Sequence, residues 1–320
     1  MIQELLQVDD LRTYFYTHRG TVRAVDGVSI SVGEGQSVAL VGEPGCGKSV
    51  TALSVMRLVP PPGKTVGGRV LFKGHDLLGL TPDEMTEVRG AQIATIFQDP
   101  MTFLNPVWKV GDQIAEAILL HQDKPKKAAR KDAVELIRAV GIPSAEQIID
   151  YYPFQLSGGM RQRILIAMAI SCNPVLLIAD EPTTALDVTV QMQILHLIKR
   201  LVAEKGISLL LITHDLGIVA DTCDRVFVMY AGKIVESADI SDIYYNPKHP
   251  YTKGLLEGVL SIDEFKAELK TIGGFVPDLV DPPNGCRFQP RCPYAKPVCS
   301  QEEPPFKQVE LQQFTACWLY

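Results

Sequence analysis

Gly42-Glu43-Pro44-Gly45-Cys46-Gly47-Lys48-Ser49 is the stretch on which the fold turns. It fits G-x-x-x-x-G-K-[ST], in which glycines let the backbone curl around a phosphate with its N–H groups inward. In that pattern the lysine reaches the β- and γ-phosphates, and the last hydroxyl ligates Mg²⁺. The pattern has meaning only between a strand and a helix. Ser37-Val38-Ala39-Leu40-Val41 supplies a short apolar strand that runs straight into Gly42. Val50 to Leu58 has helical spacing and stops before Pro60-Pro61-Pro62. The start of that helix adds the positive end of its dipole to the loop.

A phosphate loop needs a metal-binding acid on a neighbouring strand. Val175-Leu176-Leu177-Ile178-Ala179-Asp180-Glu181 reads as a buried strand with Asp180 at its C-terminal end, where open α/β sheets place their ligands. Asp180 is the candidate for holding Mg²⁺ through water, and Glu181 for activating the attacking water as general base. Either carboxylate alone would read as a solvated strand end; the phosphate loop is what gives the pair its meaning.

The flanking pattern is α/β. Leu6–Leu11 and Val22–Val32 hold short alternating runs with Gly at turns, predicting an N-terminal antiparallel β subdomain. Residues 100–157 are rich in Ala, Lys, Glu, Ile and Gln, with helices expected at Val110–Leu120 and Ala128–Val140: an inserted α-helical subdomain. Gly159–Ile170 and Val188–Glu204 then read as helices, Ser208–Thr213 as a buried strand, and Val226–Tyr230 with Lys233–Glu236 as a hairpin around Ala231-Gly232. Alternating strands and helices predict a mostly parallel core sheet. From His249 onward prolines recur, and a Cys-rich extension over 249–320 is expected as an appended lobe beside a nucleotide-binding domain over 1–248.

Composition excludes several classes. At 46% apolar and 21% charged residues, disorder over most of the 320 residues is excluded. A formal charge of −6 makes general nucleic-acid binding a poor reading. The opening MIQELLQVDDLRTYF lacks the features of a signal peptide, and no run reaches the roughly 18 apolar residues of a membrane span. The longest apolar candidate, Ile164–Ala179, is split by Ser171-Cys172-Asn173-Pro174. A cytosolic protein that meets a membrane only through a partner is expected. Four of the seven cysteines, Cys286, Cys292, Cys299 and Cys317, fall within one tenth of the chain near its end, which in a reducing compartment points to metal rather than disulfides.

Leu156-Ser157-Gly158-Gly159-Met160-Arg161-Gln162-Arg163 adds a second Gly-rich helix start, with Ser157 near the cap position. With this run the sequence resembles the nucleotide-binding subunits of ABC transporters. The resemblance implies that Ser157, Gly158 and Gly159 contact the γ-phosphate of ATP held by an opposite subunit, so that two subunits sandwich two nucleotides. It implies that Gln98, in Ile96-Phe97-Gln98-Asp99-Pro100, senses Mg²⁺ and water and abuts the membrane partner. It places Asp187, in Ala185-Leu186-Asp187, at the dimer seam, and makes His214 the switch that hydrogen-bonds the γ-phosphate. Gly42, Pro44, Gly45, Cys46, Gly47, Lys48, Ser49 and Val50 would hold the nucleotide, with Ser49, Gln98 and Asp180 toward Mg²⁺. An aromatic upstream should stack on adenine; Phe15 is the best match, with Tyr14 and Tyr16 open as alternatives.

The tail resembles the C-terminal extension of the dipeptide and oligopeptide (peptide/nickel) permease branch. Gly285-Cys286-Arg287-Phe288, Pro290-Arg291-Cys292-Pro293, Cys299 and Cys317 carry that likeness. So do Met101-Thr102-Phe103-Leu104-Asn105-Pro106, Asp187-Val188-Thr189-Val190-Gln191 and His249-Pro250-Tyr251-Thr252. It implies a [4Fe–4S] cluster on the four cysteines, with Zn²⁺ as the alternative; paired C-x₂-C knuckles are absent. It also implies a second ATPase subunit (a paralogue as a rule), two transmembrane permease subunits and an extracytoplasmic binding protein. Phe103, where the branch more often has Ser, would touch the membrane-partner groove. Import of nickel or another small solute, a soluble ABC ATPase, and a metal-sensing module remain as other readings.

Overall fold

The computed structural model describes residues 4–184, 186–260 and 272–320. Along the chain come β1 (Glu4–Thr17), β2 (Gly20–Gly33), β3 (Ser37–Val41), α1 (Lys48–Val55), β4 (Gly63–Phe72) and β5 (His75–Asp76). Then follow α2 (Pro82–Val88), β6 (Ile93–Ile96), α3 (Pro100–Phe103), α4 (Val110–His121), α5 (Lys126–Ala139), α6 (Ala145–Ile148) and α7 (Gly158–Ile170). β7 (Leu176–Asp180), α8 (Val188–Lys205), β8 (Ser208–Thr213), α9 (Leu216–Thr222), β9 (Arg225–Tyr230) and β10 (Lys233–Asp239) continue the α/β alternation. The tail adds α10 (Ile240–Tyr245), α11 (Pro250–Leu260), α12 (Pro297–Gln301), β11 (Lys307–Glu310) and β12 (Gln313–Thr315). Two compact units result, one of residues 1–79 with 211–320, the other of residues 80–210, and the chain returns from the second to the first within β8.

In the first unit β2, β1, β4 and β5 make an antiparallel sheet in that order. The two short runs expected at its start are parts of two 14-residue strands. Bulges between Val8 and Leu11, with Asp10 at φ 47°, let such long strands bend while keeping their apolar face inward. A second sheet includes the series β11-β12-β10-β9-β3. Only β3 and β9 in that series pair in parallel. The expected mostly parallel sheet is therefore mixed. The turn at Ala231 (φ 47°) and Gly232 (φ 84°) is tight, and a two-residue turn joins only antiparallel strands.

The tail does not stand apart as a lobe. β12 pairs with β10 through Glu236↔Thr315 and Ser237↔Phe314. Glu236, fully buried, accepts from Lys248 N at 2.6 Å, His249 N at 2.8 Å and Gln313 Nε2 at 3.2 Å. Burial raises its pKa despite those donors.

In the second unit β6 and β7 pair in parallel, and Ser208 N at the start of β8 donates to Val175 O at 2.9 Å. Every residue of β7 is buried, as a parallel strand covered on both faces requires. Helices α4 and α5 form the expected helical insert, and α8 ends at Gly206 in the left-handed cap conformation. Among the described residues, no helix is long and apolar enough to cross a membrane.

Candidate nucleotide site and cysteine cavity

β3 delivers its last buried residue, Val41, directly into the loop. A Cβ on Gly42 would lie 2.1 Å from Met229 O, and one on Gly47 2.2 Å from Ala24 O. Only glycine lets the loop pass this close to its neighbours. Gly47 takes φ 110° and opens α1 without a side-chain cap. Lys48 is nearly buried, and its ammonium donates to Gly42 O at 2.8 Å and Glu43 O at 3.1 Å. Cys46 Sγ lies 3.9 Å from it, and burial pushes that thiol's pKa up. Ser49 and Val50 follow in the first turn of α1, and Pro44 and Gly45 are exposed at the loop's tip. His214 is exposed just past β8; its neighbour Asp215 caps α9 by accepting from Gly217 N at 2.8 Å.

The three candidate aromatics in β1 differ. Tyr14 Oη donates to Asp26 Oδ1 at 2.6 Å, and burial with this bond raises its pKa. Phe15 is half-buried, with its ring so close to Gly63 that a Cβ there would meet it at 2.6 Å. Tyr16 is exposed.

In the second unit the parallel register fixes the acids. Ile96 pairs with Ala179, so Gln98 and Glu181 each sit two residues beyond a matched pair. Gln98 Nε2 donates to Glu181 Oε2 at 3.1 Å, and Thr184 Oγ1 donates to the same oxygen at 3.1 Å. Glu181 holds φ 43°, a strained setting for a non-glycine residue and one that clusters at functional sites. Asp180, one residue earlier, is nearly buried at the strand end. Ser157 is the N-cap of α7, its Oγ accepting from Met160 N at 3.3 Å. A Cβ on Gly159 would come within 2.7 Å of Val190 on α8. Asp187 serves as the N-cap of α8, accepting from Val190 N at 2.9 Å. Ala185 lies outside the described residues. Phe103 stacks on Phe97 with centroids 3.9 Å apart.

In the first unit Cys286, Cys292, Cys299 and Cys317 all line one cavity, with His249, Phe288 and Trp318 among its other walls. Cys286 N donates to Cys299 O at 2.8 Å. Burial pushes the Cys286 thiol up to about 11, with the charges of the other three thiols adding to the shift. Among the described residues, however, no group of three or more His, Cys, Asp or Glu side chains is arranged to hold a metal ion. The four thiols share a cavity, but the expected metal-binding tail is not supported among the described residues.

Sequence reasoning passed over three residues of the loop's support. Glu43, Tyr251 and Arg291 meet although 208 and 248 residues separate the tail residues from Glu43: Glu43 N donates to Tyr251 Oη at 2.8 Å, and Arg291 grips the Glu43 carboxylate at 2.9 and 3.1 Å. Both tail residues fell inside quoted motifs, but no spacing in one sequence links positions so distant.

By class, fold and phosphate loop together make this an ATP-binding cassette. The ABC transporter family model matches residues 25–184, and the model of the oligopeptide/dipeptide transporter C-terminal region matches residues 235–299. The dipeptide transport ATP-binding protein DppD of Bacillus subtilis (strain 168) is 52% identical over 319 residues, covering 99% of this chain and 95% of that one. The protein of the same name from Escherichia coli (strain K12) is 48% identical over 300 residues, 94% of this chain and 92% of that one. The chain belongs to the family of dipeptide and oligopeptide ABC transporter ATP-binding proteins. Among solved structures, the dimeric cassette MJ0796, in a post-hydrolysis state bound to ADP and Pi, superposes with a TM-score of 0.66 at 25% identity. It covers 73% of this chain and 98% of its own.

Proposed function

We propose that this chain is the ATP-hydrolysing subunit of an importer of di- or oligopeptides, working as one of a pair beneath a membrane permease. The observation that carries the ATPase part is the Gln98–Glu181 hydrogen bond at matched strand ends, directly after buried Asp180. The peptide part is supported by relatives whose names state dipeptide or oligopeptide transport.

The loop Gly42–Ser49 and the first turn of α1 to Val50 hold the phosphates with backbone N–H groups. Lys48 leaves its carbonyl partners to meet the β- and γ-phosphates, an exchange of neutral acceptors for charged ones. Phe15 stacks on adenine. The hydroxyl of Ser49 and the carboxylate of Asp180 are hard oxygen donors suited to Mg²⁺, which supplies charge neutralisation on the phosphates when bound. Glu181 takes the proton of the attacking water, Gln98 positions that water, and His214 hydrogen-bonds the γ-phosphate. Ser157, Gly158 and Gly159 serve the nucleotide of a paralogous or identical partner subunit, with Asp187 at the seam. Phe103 faces one of two permease subunits, which an extracytoplasmic binding protein feeds, and the chain sits on the cytoplasmic face of the membrane. Residues 1–248 form the ATPase part and 249–320 the extension.

The four cavity-lining cysteines are the ligands of a [4Fe–4S] cluster in this reading. A single Zn²⁺ would draw its sulfurs to about 2.3 Å, whereas a four-iron cluster takes one thiolate per iron and spaces them more widely. What supports this reading is that all four cysteines line one cavity. Anaerobic analysis should find iron and sulfide in stoichiometric amounts; zinc without iron refutes the cluster.

The ATPase reading is tested by Glu181→Gln in the assembled transporter. Turnover should fall at least ~100-fold while an ATP-bound dimer accumulates. Undiminished turnover would remove Glu181 as the base.

A further inference from the structure

Glu43 is a hub. Its N–H donates to Tyr251 Oη at 2.8 Å, its C=O accepts from Lys48 Nζ at 3.1 Å, and its carboxylate binds Arg291 through both oxygens. All three polar groups of the loop's second residue are thereby engaged, two of them by the tail.

Arg291 is held with unusual completeness. Nε donates to Gly273 O at 2.9 Å, Nη1 to Glu43 and to Tyr230 Oη at 3.4 Å, and Nη2 to Glu43 and to Ile272 O at 3.2 Å. Those contacts use every N–H a guanidinium has. Its side chain is only 6% exposed. Tyr251 is fully buried, its ring 4.6 Å from Tyr230 and 5.4 Å from Phe288. Both residues are thus held by partners outside the loop as well as by Glu43.

We propose that Arg291 and Tyr251 are positioning residues of the nucleotide site: the cysteine-bearing tail neutralises Glu43 and sets the shape of the phosphate loop. This rests on the reading of residues 42–49 as the loop that holds ATP. An acidic residue in second place puts a negative charge in a loop that must receive a polyanion. Arg291 cancels it. Removing only the arginine leaves a partly buried carboxylate unpaired beside the incoming phosphates, and like charges there repel. Removing both charges relieves that repulsion. A residue that merely held the tail together would show no such rescue.

The test is MgATP binding by the full-length chain, measured by calorimetry at low and high ionic strength. Arg291→Gln should weaken binding ~10-fold, and the loss should shrink as salt screens the bare carboxylate. Glu43→Gln combined with Arg291→Gln should recover most of the lost affinity. Tyr251→Phe should weaken binding by a smaller factor that salt does not change, because it removes an uncharged hydrogen bond. If the arginine variant does not fold, Arg291→Met, alone and with Glu43→Gln, carries the same comparison. Unaltered affinity in the single variant, or a double variant as weak as the single, overturns the proposal. ATP binding that survives Lys48→Ala overturns instead the phosphate-loop reading, and the inference with it.

Discussion

Two helices of this chain start at Gly-rich runs suited to an anion, and they start differently. α1 opens at Gly47, in a left-handed conformation, with no side chain bonded across its first turn from the cap. α7 opens at Ser157, in an extended conformation, with Oγ already accepting from Met160 N. At α1 no capping side chain competes with a phosphate, and the loop's shape is set by contacts too close for any other residue. At α7 the helix satisfies itself through a long, weak bond that an arriving phosphate can displace. In the proposed reading the first start suits the nucleotide that this subunit binds on its own phosphate loop. The second suits one brought by a partner.

The sharpest way to break that contrast is a methyl group at each start. Gly47→Ala forces a Cβ to within 2.2 Å of Ala24 O and 2.6 Å of Met229 Cε, at a φ of 110°. It should cost more than about 3 kcal/mol in urea unfolding and abolish ATP binding. At Gly158 the same methyl meets Leu186 Cδ2 at 3.4 Å, ordinary contact. Gly158→Ala should change stability by less than about 1 kcal/mol. Equal costs at the two positions would show that α1 is no more tightly determined than α7.

The support beneath each start also differs in acid. His249 packs beside Phe288 and is 1% exposed, and burial pushes its pKa down to about 3. Its Nδ1 accepts from Tyr251 N at 3.1 Å, so the scaffold of the phosphate loop includes a histidine held neutral. The unfolded chain takes up that proton near pH 6.5, the native chain only near 3. Between those values the unfolded state binds more protons, so stability is full above about 6.5 and declines as pH falls. At pH 5 the loss should be about 2 kcal/mol, and His249→Asn should flatten that part of the profile. The Ser157 hydroxyl does not titrate. Amide exchange at Met160 relative to Tyr251 should therefore become slower on acidification, after correction for intrinsic rates.

What the sequence disclosed follows the same division. Strand, loop and helix around Gly42–Ser49 are local, so their residue types and spacing displayed the fold and the ligand together. β7 read as buried because parallel strands carry apolar residues on both faces; the apolar run Val175–Ala179 marked it, and the observed strand lies one residue later, at Leu176–Asp180. Ser157 as a cap was legible because capping is a one-turn interaction. What was hidden is non-local. The antiparallel entry of β12 onto β10 depends on Glu236 meeting Lys248, His249 and Gln313, which no periodicity encodes. The Arg291–Glu43 pair spans most of the chain for the same reason. The four cysteines were visible as a cluster, but spacing alone could not say whether they close on an ion or only share a cavity.

The smallest expected effect separates the two caps of the second unit. Asp187 caps α8 with a carboxylate oxygen at 2.9 Å, a short bond strengthened by charge at a helix N-terminus. Ser157 caps α7 with a hydroxyl at 3.3 Å. Asp187→Ala should cost about 1–2 kcal/mol and Ser157→Ala about 0.5 kcal/mol, both read from urea midpoints of the full chain. A helix start kept for a partner's phosphate has to be weakly satisfied, since a strong internal cap would have to be broken each time the partner docks. If Ser157→Ala costs as much as Asp187→Ala, the serine is a structural cap like the aspartate, and the contrast between α1 and α7 loses its physical basis.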